Sequence, residues 1–229
     1  MSNKGIAYGV GVGPGNPELM TLKAVRLIRE NKVIAVPGTD AKESVAYKIA
    51  VQAVPELAEK ELIAINMPMT KDAEKLLEAH HRGARQISEW LDKGENVVYL
   101  TLGDSTVYCT FTYLQGILEA DGYRTELVNG IPSFCAAAAR LNIPLMAWNE
   151  QLHVLPATHK TDVVMNQPGT YVLMKSGSRM KEIKALLAQS GRQVQAVENC
   201  SMPDEVVYRS VDEIPDDAGY FSLIISRER

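Results

Sequence analysis

The chain has 229 residues, of which 46% are hydrophobic and 23% charged, and its formal net charge is −4. This length allows one or two domains, and the composition excludes a disordered, collagen-like or coiled-coil protein. The longest apolar runs are strand-length, whereas a membrane-spanning helix needs about 20 residues. The first residues lack the apolar stretch of a signal peptide. We therefore expect a folded cytoplasmic protein with no membrane association.

The three cysteines and four histidines have no spacing typical of a metal site. Cys109, Cys135 and Cys200 form no C-x-x-C pair, which argues against a disulfide framework or structural zinc. We expect these cysteines to be buried as small hydrophobic residues, and Cys135 in particular opens an alanine-rich helix. The mildly acidic charge and the absence of a Lys/Arg-rich run argue against nucleic-acid binding.

Strand and helix patterns alternate over the first 145 residues, which predicts an α/β domain with parallel pairing. Asn16, Pro17 and Glu18 predict the start of the first helix, as N-cap, first helical residue and acidic first-turn residue. The predicted strands are residues 6–12, 33–36, 61–67, 96–102 and 123–128. The predicted helices are residues 17–30, 43–53 and 72–91, a helix ending near residue 120, and residues 133–141.

The periodicity is interrupted over residues 142–151, where we place a linker between a domain of residues 1–147 and one of residues 148–229. The second part is rich in strands and predicts a mixed sheet with one helix at residues 178–189. Its predicted strands are residues 151–156, 170–175, 194–198, 206–210 and 220–226.

A glycine-rich segment, residues 9–17, joins the first predicted strand to the first predicted helix. Its spacing does not match the dinucleotide fingerprint G-x-G-x-x-G, and it lacks the lysine of a P-loop. These mismatches argue against a dinucleotide-dependent oxidoreductase. Two interpretations stay open: a tight strand-to-helix turn, or a rigid floor for a large flat ligand.

Two further loops follow the ends of predicted parallel strands, where ligands collect in open α/β sheets. Residues 103–108 follow the most apolar strand, and residues 129–133 follow the next one. Two interpretations stay open here: Asp104 or Ser105 caps the following helix, or Asp104 accepts hydrogen bonds from a ligand. No Gly-x-Ser-x-Gly elbow is present, so nothing indicates nucleophilic catalysis.

These loops together resemble the tetrapyrrole methylase family, the S-adenosylmethionine-dependent enzymes of corrin and sirohaem synthesis. The resemblance covers essentially the whole chain, and its motifs are residues 8–19, 21–24, 36–37, 103–108, 129–133, 172–174 and 197–200. Residues 107–114 and 219–225 are most similar to the members that methylate carbon 20 of precorrin-2 or cobalt-factor II.

The resemblance implies two α/β domains with the methyl donor in the cleft between them, a tetrapyrrole substrate, a homodimer and no protein-bound metal. S-adenosylhomocysteine would be the product of the donor. By position, the implied donor contacts are Pro37, Gly103, Asp104, Val107, Pro132, Ser133, Met174 and Cys200. The implied substrate-binding residues are Gly9, Gly11, Gly13, Pro14 and Gly15. Ser105 replaces a common proline and Pro132 a common hydroxyl residue, and no catalytic base is identified.

The alternatives are a methylase of another ring carbon, a diphthine synthase, and a non-catalytic module that binds S-adenosylmethionine or a tetrapyrrole. Because the implied substrate carries many carboxylates, we expect basic residues near its site although the chain is acidic. The candidates by position are Lys23, Arg26, Lys42, Arg82, Lys160 and Arg179.

Overall fold

A computed structural model describes residues 4–70, 72–157 and 165–228. The chain forms two compact units, Met1–Pro132 and Ser133–Arg229. The helix that begins at Ser133 therefore groups with the second unit. The boundary expected from sequence, at residues 147 and 148, lies after this helix and stays a prediction.

The first unit contains a five-stranded sheet in which every pair of neighbouring strands is parallel. The strand order is β3-β2-β4-β1-β5, so β4 and β1 lie in the interior of the sheet. The strands are β1 (Ile6–Gly11), β2 (Val33–Pro37), β3 (Glu61–Ile65), β4 (Val97–Thr101) and β5 (Arg124–Val128). The predicted parallel α/β domain is confirmed.

Helices cover both faces of this sheet. They are α1 (Leu22–Glu30), α2 (Val45–Ala53), α3 (Ala73–Leu91) and α4 (Phe111–Ala120). Because side chains alternate along a strand, Val98 and Leu100 of β4 pack in the core that α1 and α2 cover, whereas Val97 and Tyr99 pack in the core that α3 and α4 cover. A buried strand between two layers of helices explains the almost entirely apolar sequence of β4.

The first helix begins later than predicted. Asn16 does accept a hydrogen bond from the Glu18 N–H, at 2.9 Å, but the segment Pro17–Leu19 is a single 3₁₀ turn. Met20 is extended and ends that turn, and the Thr21 hydroxyl then caps α1 by accepting from the Ala24 N–H. Two consecutive caps thus divide the predicted helix of residues 17–30 into two pieces.

The second unit contains a mixed five-stranded sheet of order β6-β7-β10-β8-β9. Only β6 and β7 pair in parallel; the other neighbours are antiparallel. The elements are β6 (Leu152–Pro156), β7 (Thr170–Met174), β8 (Gln193–Glu198), β9 (Val206–Tyr208), β10 (Ser222–Arg227), α5 (Ser133–Leu141) and α6 (Met180–Gln189). The predicted mixed sheet is therefore confirmed.

Helix α5 packs against β8 and β10, and it corrects one expectation about the cysteines. Its buried side includes Phe134, Ala137, Ala138 and Leu141, which are spaced as one helical face. Cys135 lies off that face and is exposed, whereas Cys109 and Cys200 are buried as expected. Within the residues described, no helix combines the length and apolar character that crossing a membrane requires.

Candidate functional site

The order of the strands in the first unit marks one place at the sheet edge where a ligand site is expected. Strands β1 and β4 are neighbours, but α1 follows β1 onto one face while α4 follows β4 onto the other. Where successive connections diverge to opposite faces, an open α/β sheet forms a crevice beyond the carboxyl ends of its strands. The loops after β1 and β4 meet at this crevice.

Two glycines join these loops through a pair of backbone hydrogen bonds. The Gly13 N–H donates to the Gly103 carbonyl at 3.1 Å, and the Gly103 N–H donates to the Gly13 carbonyl at 2.8 Å. Both residues have positive φ, +78° and +73°, a conformation that glycine adopts without steric cost. The loop conformation therefore depends on glycine at both positions.

The glycine-rich segment and the loop after β5 are in backbone contact. A Cβ atom on Gly11 would lie 2.5 Å from the Gly103 carbonyl oxygen and 2.7 Å from the Gly130 nitrogen. A Cβ atom on Gly130 would overlap the same Gly103 oxygen, and one on Gly9 would overlap the Phe111 ring. Close packing thus explains glycine at positions 9, 11 and 130, and the first two of these lie in β1 before any turn.

Asp104 connects the loops after β4 and β5. One carboxylate oxygen accepts from the Thr106 N–H at 2.7 Å and from the Thr106 hydroxyl. The other accepts from the Gly130 N–H at 2.9 Å and from the Asn129 side-chain amide at 3.2 Å. The capping interpretation is wrong, because α4 begins only at Phe111 and Asp104 instead closes a local turn.

The surroundings of Asp104 keep its carboxylate ionised. Burial alone would raise the pKa of Asp104, but the hydrogen bonds from Thr106, Asn129 and Gly130 outweigh burial and lower that pKa below its ordinary value. A carboxyl group with a lowered pKa is a weak base, and each of its oxygens already accepts two hydrogen bonds.

Ser105 adds a second connection between the same loops. Its side chain is fully buried, and its hydroxyl donates to the Val128 carbonyl, the last of β5, at 2.9 Å. A proline at this position has no hydroxyl to make this bond. Serine, where the resemblance leads one to expect proline, therefore fixes the loop after β4 to the end of β5.

In the second unit, left-handed backbone conformations adjoin two of the implied donor contacts. Lys175, with φ of +60°, follows Met174 at the end of β7. Asn199 and Ser201, with φ of +50° and +65°, flank Cys200 after β8. Each such non-glycine residue costs of order 1 kcal/mol and persists only where its surroundings impose it.

The implied donor contacts differ in exposure. Pro37, Val107, Pro132, Ser133 and Met174 are half-buried, whereas Gly103, Asp104 and Cys200 are buried. Within the first unit, Pro37 ends β2 at the same sheet edge as the loop of Gly103 and Asp104. The implied substrate residues are all buried, so little of their surface is open to a ligand; they are Gly9, Gly11, Gly13, Pro14 and Gly15.

The buried cysteines and two of the histidines, His80 and His153, have structural environments. Burial raises the pKa of the Cys109 and Cys200 thiols, which keeps both protonated and poorly nucleophilic at neutral pH. His80 stacks on Tyr113 with 4.7 Å between ring centroids, and His153 stacks on Tyr171. Across residues 4–70, 72–157 and 165–228, no three His, Cys, Asp or Glu side chains are grouped as metal ligands.

Most of the candidate basic residues are paired with acidic ones. Lys23 bonds Glu126 at 2.5 Å, Arg26 bonds Glu30 at 2.8 Å, and Arg82 lies 3.8 Å from Glu78. Arg179 pairs with Glu182 and donates to the Ala157 carbonyl. Lys42 is exposed, and Lys160 lies outside the described residues.

Sequence reasoning missed the residues that hold the loops. Thr106 and Asn129 bond Asp104, and the pattern Asp-x-Thr is a recognisable signal of a side-chain turn. Glu205 bonds the Ser201 N–H in its own loop and Arg140 in the distant helix α5. No local sequence pattern marks the bond to Arg140.

Comparison with known proteins identifies the family of the chain. The sequence model of the family described as "Tetrapyrrole (Corrin/Porphyrin) Methylases" matches residues 7–214. A relative from Methanocaldococcus jannaschii, named probable cobalt-precorrin-2 C(20)-methyltransferase, is 34% identical over 95% of this chain and 94% of its own. The cobalt-precorrin-2 C(20)-methyltransferase of Salmonella typhimurium is 30% identical over 96% and 95%.

Solved structures show the same fold. A cobalt precorrin-4 methyltransferase superimposes with a TM-score of 0.75 at 19% identity, over 97% of this chain and 94% of that one. The uroporphyrin-III C-methyltransferase of Thermus thermophilus, solved with S-adenosylhomocysteine, has a TM-score of 0.71 at 24% identity over 98% of both chains. The resemblance expected from sequence is confirmed, and the chain belongs to the tetrapyrrole (corrin/porphyrin) methylase family.

Proposed function

We propose that this protein transfers a methyl group from S-adenosylmethionine to carbon 20 of precorrin-2 or cobalt-factor II, in the biosynthesis of cobalamin. One observation carries the proposal: two relatives named for this C(20) reaction on cobalt-precorrin-2 match nearly the full length of the chain at 34% and 30% identity. A third relative, from a Sinorhizobium species, is named precorrin-2 C(20)-methyltransferase and is 28% identical over 98% of the chain.

The donor residues proposed are Pro37, Gly103, Asp104, Val107, Pro132, Ser133, Met174 and Cys200. Asp104 and Gly103 would act by fixing the loops after β4 and β5, since the Asp104 oxygens are bonded within the chain. Pro132 has no N–H, so a contact there would use its carbonyl or its ring. The segment from Gly9 to Gly15 is proposed to face the substrate.

The proposed reaction depends mainly on the correct positioning of the methyl donor and the acceptor carbon. Methyl transfer is an in-line displacement at the methyl carbon: the acceptor carbon forms the new C–C bond as the C–S bond breaks, and sulfur leaves with the electron pair as a neutral thioether. Holding the reacting atoms about 3–3.5 Å apart supplies several kcal/mol of rate acceleration. Loops joined by the Gly13–Gly103 and Asp104–Gly130 bonds fit this demand, because they hold a fixed conformation.

The acceptor carbon must afterwards lose a proton, and we assign no side chain to this step. The lowered pKa of Asp104 makes it a weak base. Glu198 accepts from the Gly219 N–H at 2.6 Å and from the Tyr208 hydroxyl at 2.9 Å, and burial together with Glu198 raises the pKa of Tyr208 to about 12. Water or the tetrapyrrole itself is proposed to accept the proton.

Two experiments test the proposal. Titration calorimetry should show micromolar binding of S-adenosylhomocysteine and no binding of NADH; the reverse pattern would eliminate it. Incubation with precorrin-2 or cobalt-factor II and isotopically labelled donor should then add one methyl group, which NMR locates at carbon 20. A methyl at another carbon would indicate a different ring methylase, and binding without transfer would indicate a non-catalytic module or another acceptor.

The remaining expectations belong to the same proposal. We propose that the protein works in the cytoplasm as a homodimer and holds no metal of its own. Sedimentation of the purified chain tests the dimer, and metal analysis tests the last point.

A further inference from the structure

The loop after β8, residues 199–205, is held in an unusual backbone conformation by its own hydrogen bonds. Asn199 and Ser201 both have positive φ, and Cys200 lies between them with 4% of its surface exposed. The Met202 N–H donates to the Asn199 carbonyl at 2.9 Å, and the Asn199 side chain donates to Asp204 at 2.7 Å. These local bonds shape the loop but do not attach it to a helix.

Glu205 provides that attachment. One of its carboxylate oxygens accepts from the Ser201 N–H at 2.8 Å, directly at a left-handed residue. The other accepts from the Arg140 guanidinium, in the last turn of α5. The Glu205 side chain is only 15% exposed, whereas that of Arg140 is 53% exposed, so the bond to Ser201 is the better protected from water.

Helix α5 begins at Ser133, which is itself a proposed donor contact, and it packs on β8 and β10. The path from α5 through Arg140 and Glu205 to Ser201 therefore links two parts of the proposed donor site within the second unit. A charged hydrogen bond to an N–H is stronger than a neutral one, which suits it to hold a strained residue in place.

We propose that Glu205 is a positioning residue for the methyl donor: through its bonds to Ser201 and Arg140 it holds the loop of Cys200 in the conformation that contacts the donor. The inference rests on the proposed function, because the donor contact at Cys200 belongs to that proposal. Glu205 itself is not placed in contact with the donor.

The first test measures donor binding. Glu205→Ala should raise the calorimetric Kd for S-adenosylhomocysteine about tenfold, which corresponds to about 1.4 kcal/mol. Glu205→Gln, which keeps an acceptor for Ser201 but loses the charge facing Arg140, should have a smaller effect and serves if the alanine variant does not fold. In turnover, the KM for S-adenosylmethionine should rise while kcat changes little.

The matched control is a second ion pair of the same unit. Lys184 of α6 bonds Asp216 at 2.6 Å, with the lysine largely buried and the aspartate exposed, and neither residue belongs to the proposed site. Asp216→Ala should leave the Kd for S-adenosylhomocysteine within twofold of the original. Arg140→Lys should retain more affinity than Arg140→Gln, because it preserves a charged donor for Glu205.

The second test needs no ligand. The buried Cys200 thiol should react slowly with a maleimide, and Glu205→Ala should accelerate its labelling, measured by peptide mapping beside the exposed Cys135. A rise in Kd without faster labelling would mean direct contact of Glu205 with the ligand and would overturn the positioning role. Faster labelling with an unchanged Kd would mean that the conformation of this loop does not affect donor binding, and would also overturn the positioning role.

Failure of the proposed function has a distinct signature. If the unmodified protein binds no S-adenosylhomocysteine, the donor role of this loop fails together with the function. If the unmodified protein binds it and both Kd and labelling stay unchanged in Glu205→Ala, only the present inference fails.

Discussion

Asp104 makes four hydrogen bonds with one side chain, and both of its oxygens act only as acceptors. Replacing Asp104 by asparagine turns one oxygen into an NH₂ group that must face either the Thr106 donors or the Gly130 and Asn129 donors. A buried donor left without an acceptor costs about 1–3 kcal/mol. We expect Asp104→Asn to lower the free energy of unfolding by that amount, measured by urea denaturation. Asn129→Ala, which removes only the 3.2 Å bond, should cost less.

The same substitution has a predictable pH dependence. Since the pKa of Asp104 is lower in the folded protein than in the unfolded chain, ionisation stabilises the fold above the unfolded pKa of about 4. This contribution is lost as the pH falls through the folded pKa. The stability difference between the original protein and Asp104→Asn should therefore shrink below about pH 4. A difference that stays constant down to pH 3 would contradict the lowered pKa.

Gly130 and Gly116 give a matched pair of substitutions. A Cβ atom on Gly130 would overlap backbone atoms of Gly103 and Gly11, which cannot move independently of the sheet. A Cβ atom on Gly116, inside α4, meets no atom within 4 Å. We expect Gly130→Ala to destabilise by about 1–3 kcal/mol and Gly116→Ala to stabilise by about 0.5–1 kcal/mol. Denaturant titration of both variants checks the prediction, and equal effects would contradict it.

At the scale of secondary-structure elements, Arg192 joins three segments of the second unit. Its guanidinium donates to the Ser226 hydroxyl at 3.0 Å and carbonyl at 3.3 Å in β10, and to the Gly169 carbonyl before β7. It also lies 3.5 Å from Glu228 and 5.0 Å from the centre of the Tyr171 ring. One planar group thus fixes the ends of β7, β8 and β10.

Lysine cannot replace this geometry, because its ammonium group lacks the planar fork. We expect Arg192→Lys to destabilise the second unit by about 1–3 kcal/mol, since several buried acceptors lose their donor. Hydrogen exchange should show the loss in the amides of β7 and β10. Arg227→Lys is the control: Arg227 is half-buried at the end of β10 and its 3.0 Å bond to Gln193 lies at the surface, so its replacement should have little effect.

The order and type of the elements were predictable because their signals are local. The apolar run of β4 reflects burial on both faces and the periodic stripe of α3 reflects burial on one, and both elements were located within one or two residues. The start of α1 was not, because Asn16 and Thr21 are both competent caps. Thr21, which caps the longer helix, also donates to the carbonyl of the distant Asn129 at 3.3 Å. The prediction that Cys135 is buried was also wrong, because contacts with β8 and β10 determine which side of α5 is packed.

The candidate site was predictable in location but not in its internal connections. Parallel strands bring the loops of Gly13, Gly103 and Gly130 to one sheet edge, so motif positions suffice to place them there. Three of the hydrogen-bond partners are distant in sequence, namely Asn129 and Gly130 for Asp104 and Arg140 for Glu205, and no pattern within either loop specifies them. For this reason the residues that hold the site were found only in the structure.

At the scale of the whole molecule, a net charge of −4 must coexist with the proposed binding of a tetrapyrrole that carries many carboxylates. Four candidate cations, Lys23, Arg26, Arg82 and Arg179, have acidic partners that offset their charge. Paired surface cations contribute little to a local positive potential. A cation without such a partner, close to the carboxyl ends of the strands, is the better candidate for the substrate.

Lys42 meets this description. It lies in the connection after β2, whose last residue, Pro37, is at the same sheet edge as Gly103, and its side chain has no ion-pair partner in the described part of the chain. We expect Lys42→Gln to raise the KM for the tetrapyrrole about twofold to fivefold, with the Kd for S-adenosylhomocysteine unchanged, because an exposed charge pair is worth up to about 1 kcal/mol. Arg26→Gln is the control, since Glu30 already neutralises Arg26, and it should change the KM by less than Lys42→Gln does.

The original protein should also lose tetrapyrrole affinity with added salt, which screens exposed charges, and Lys42→Gln should be less salt-sensitive. Equal salt dependence in both proteins would remove Lys42 from the substrate site.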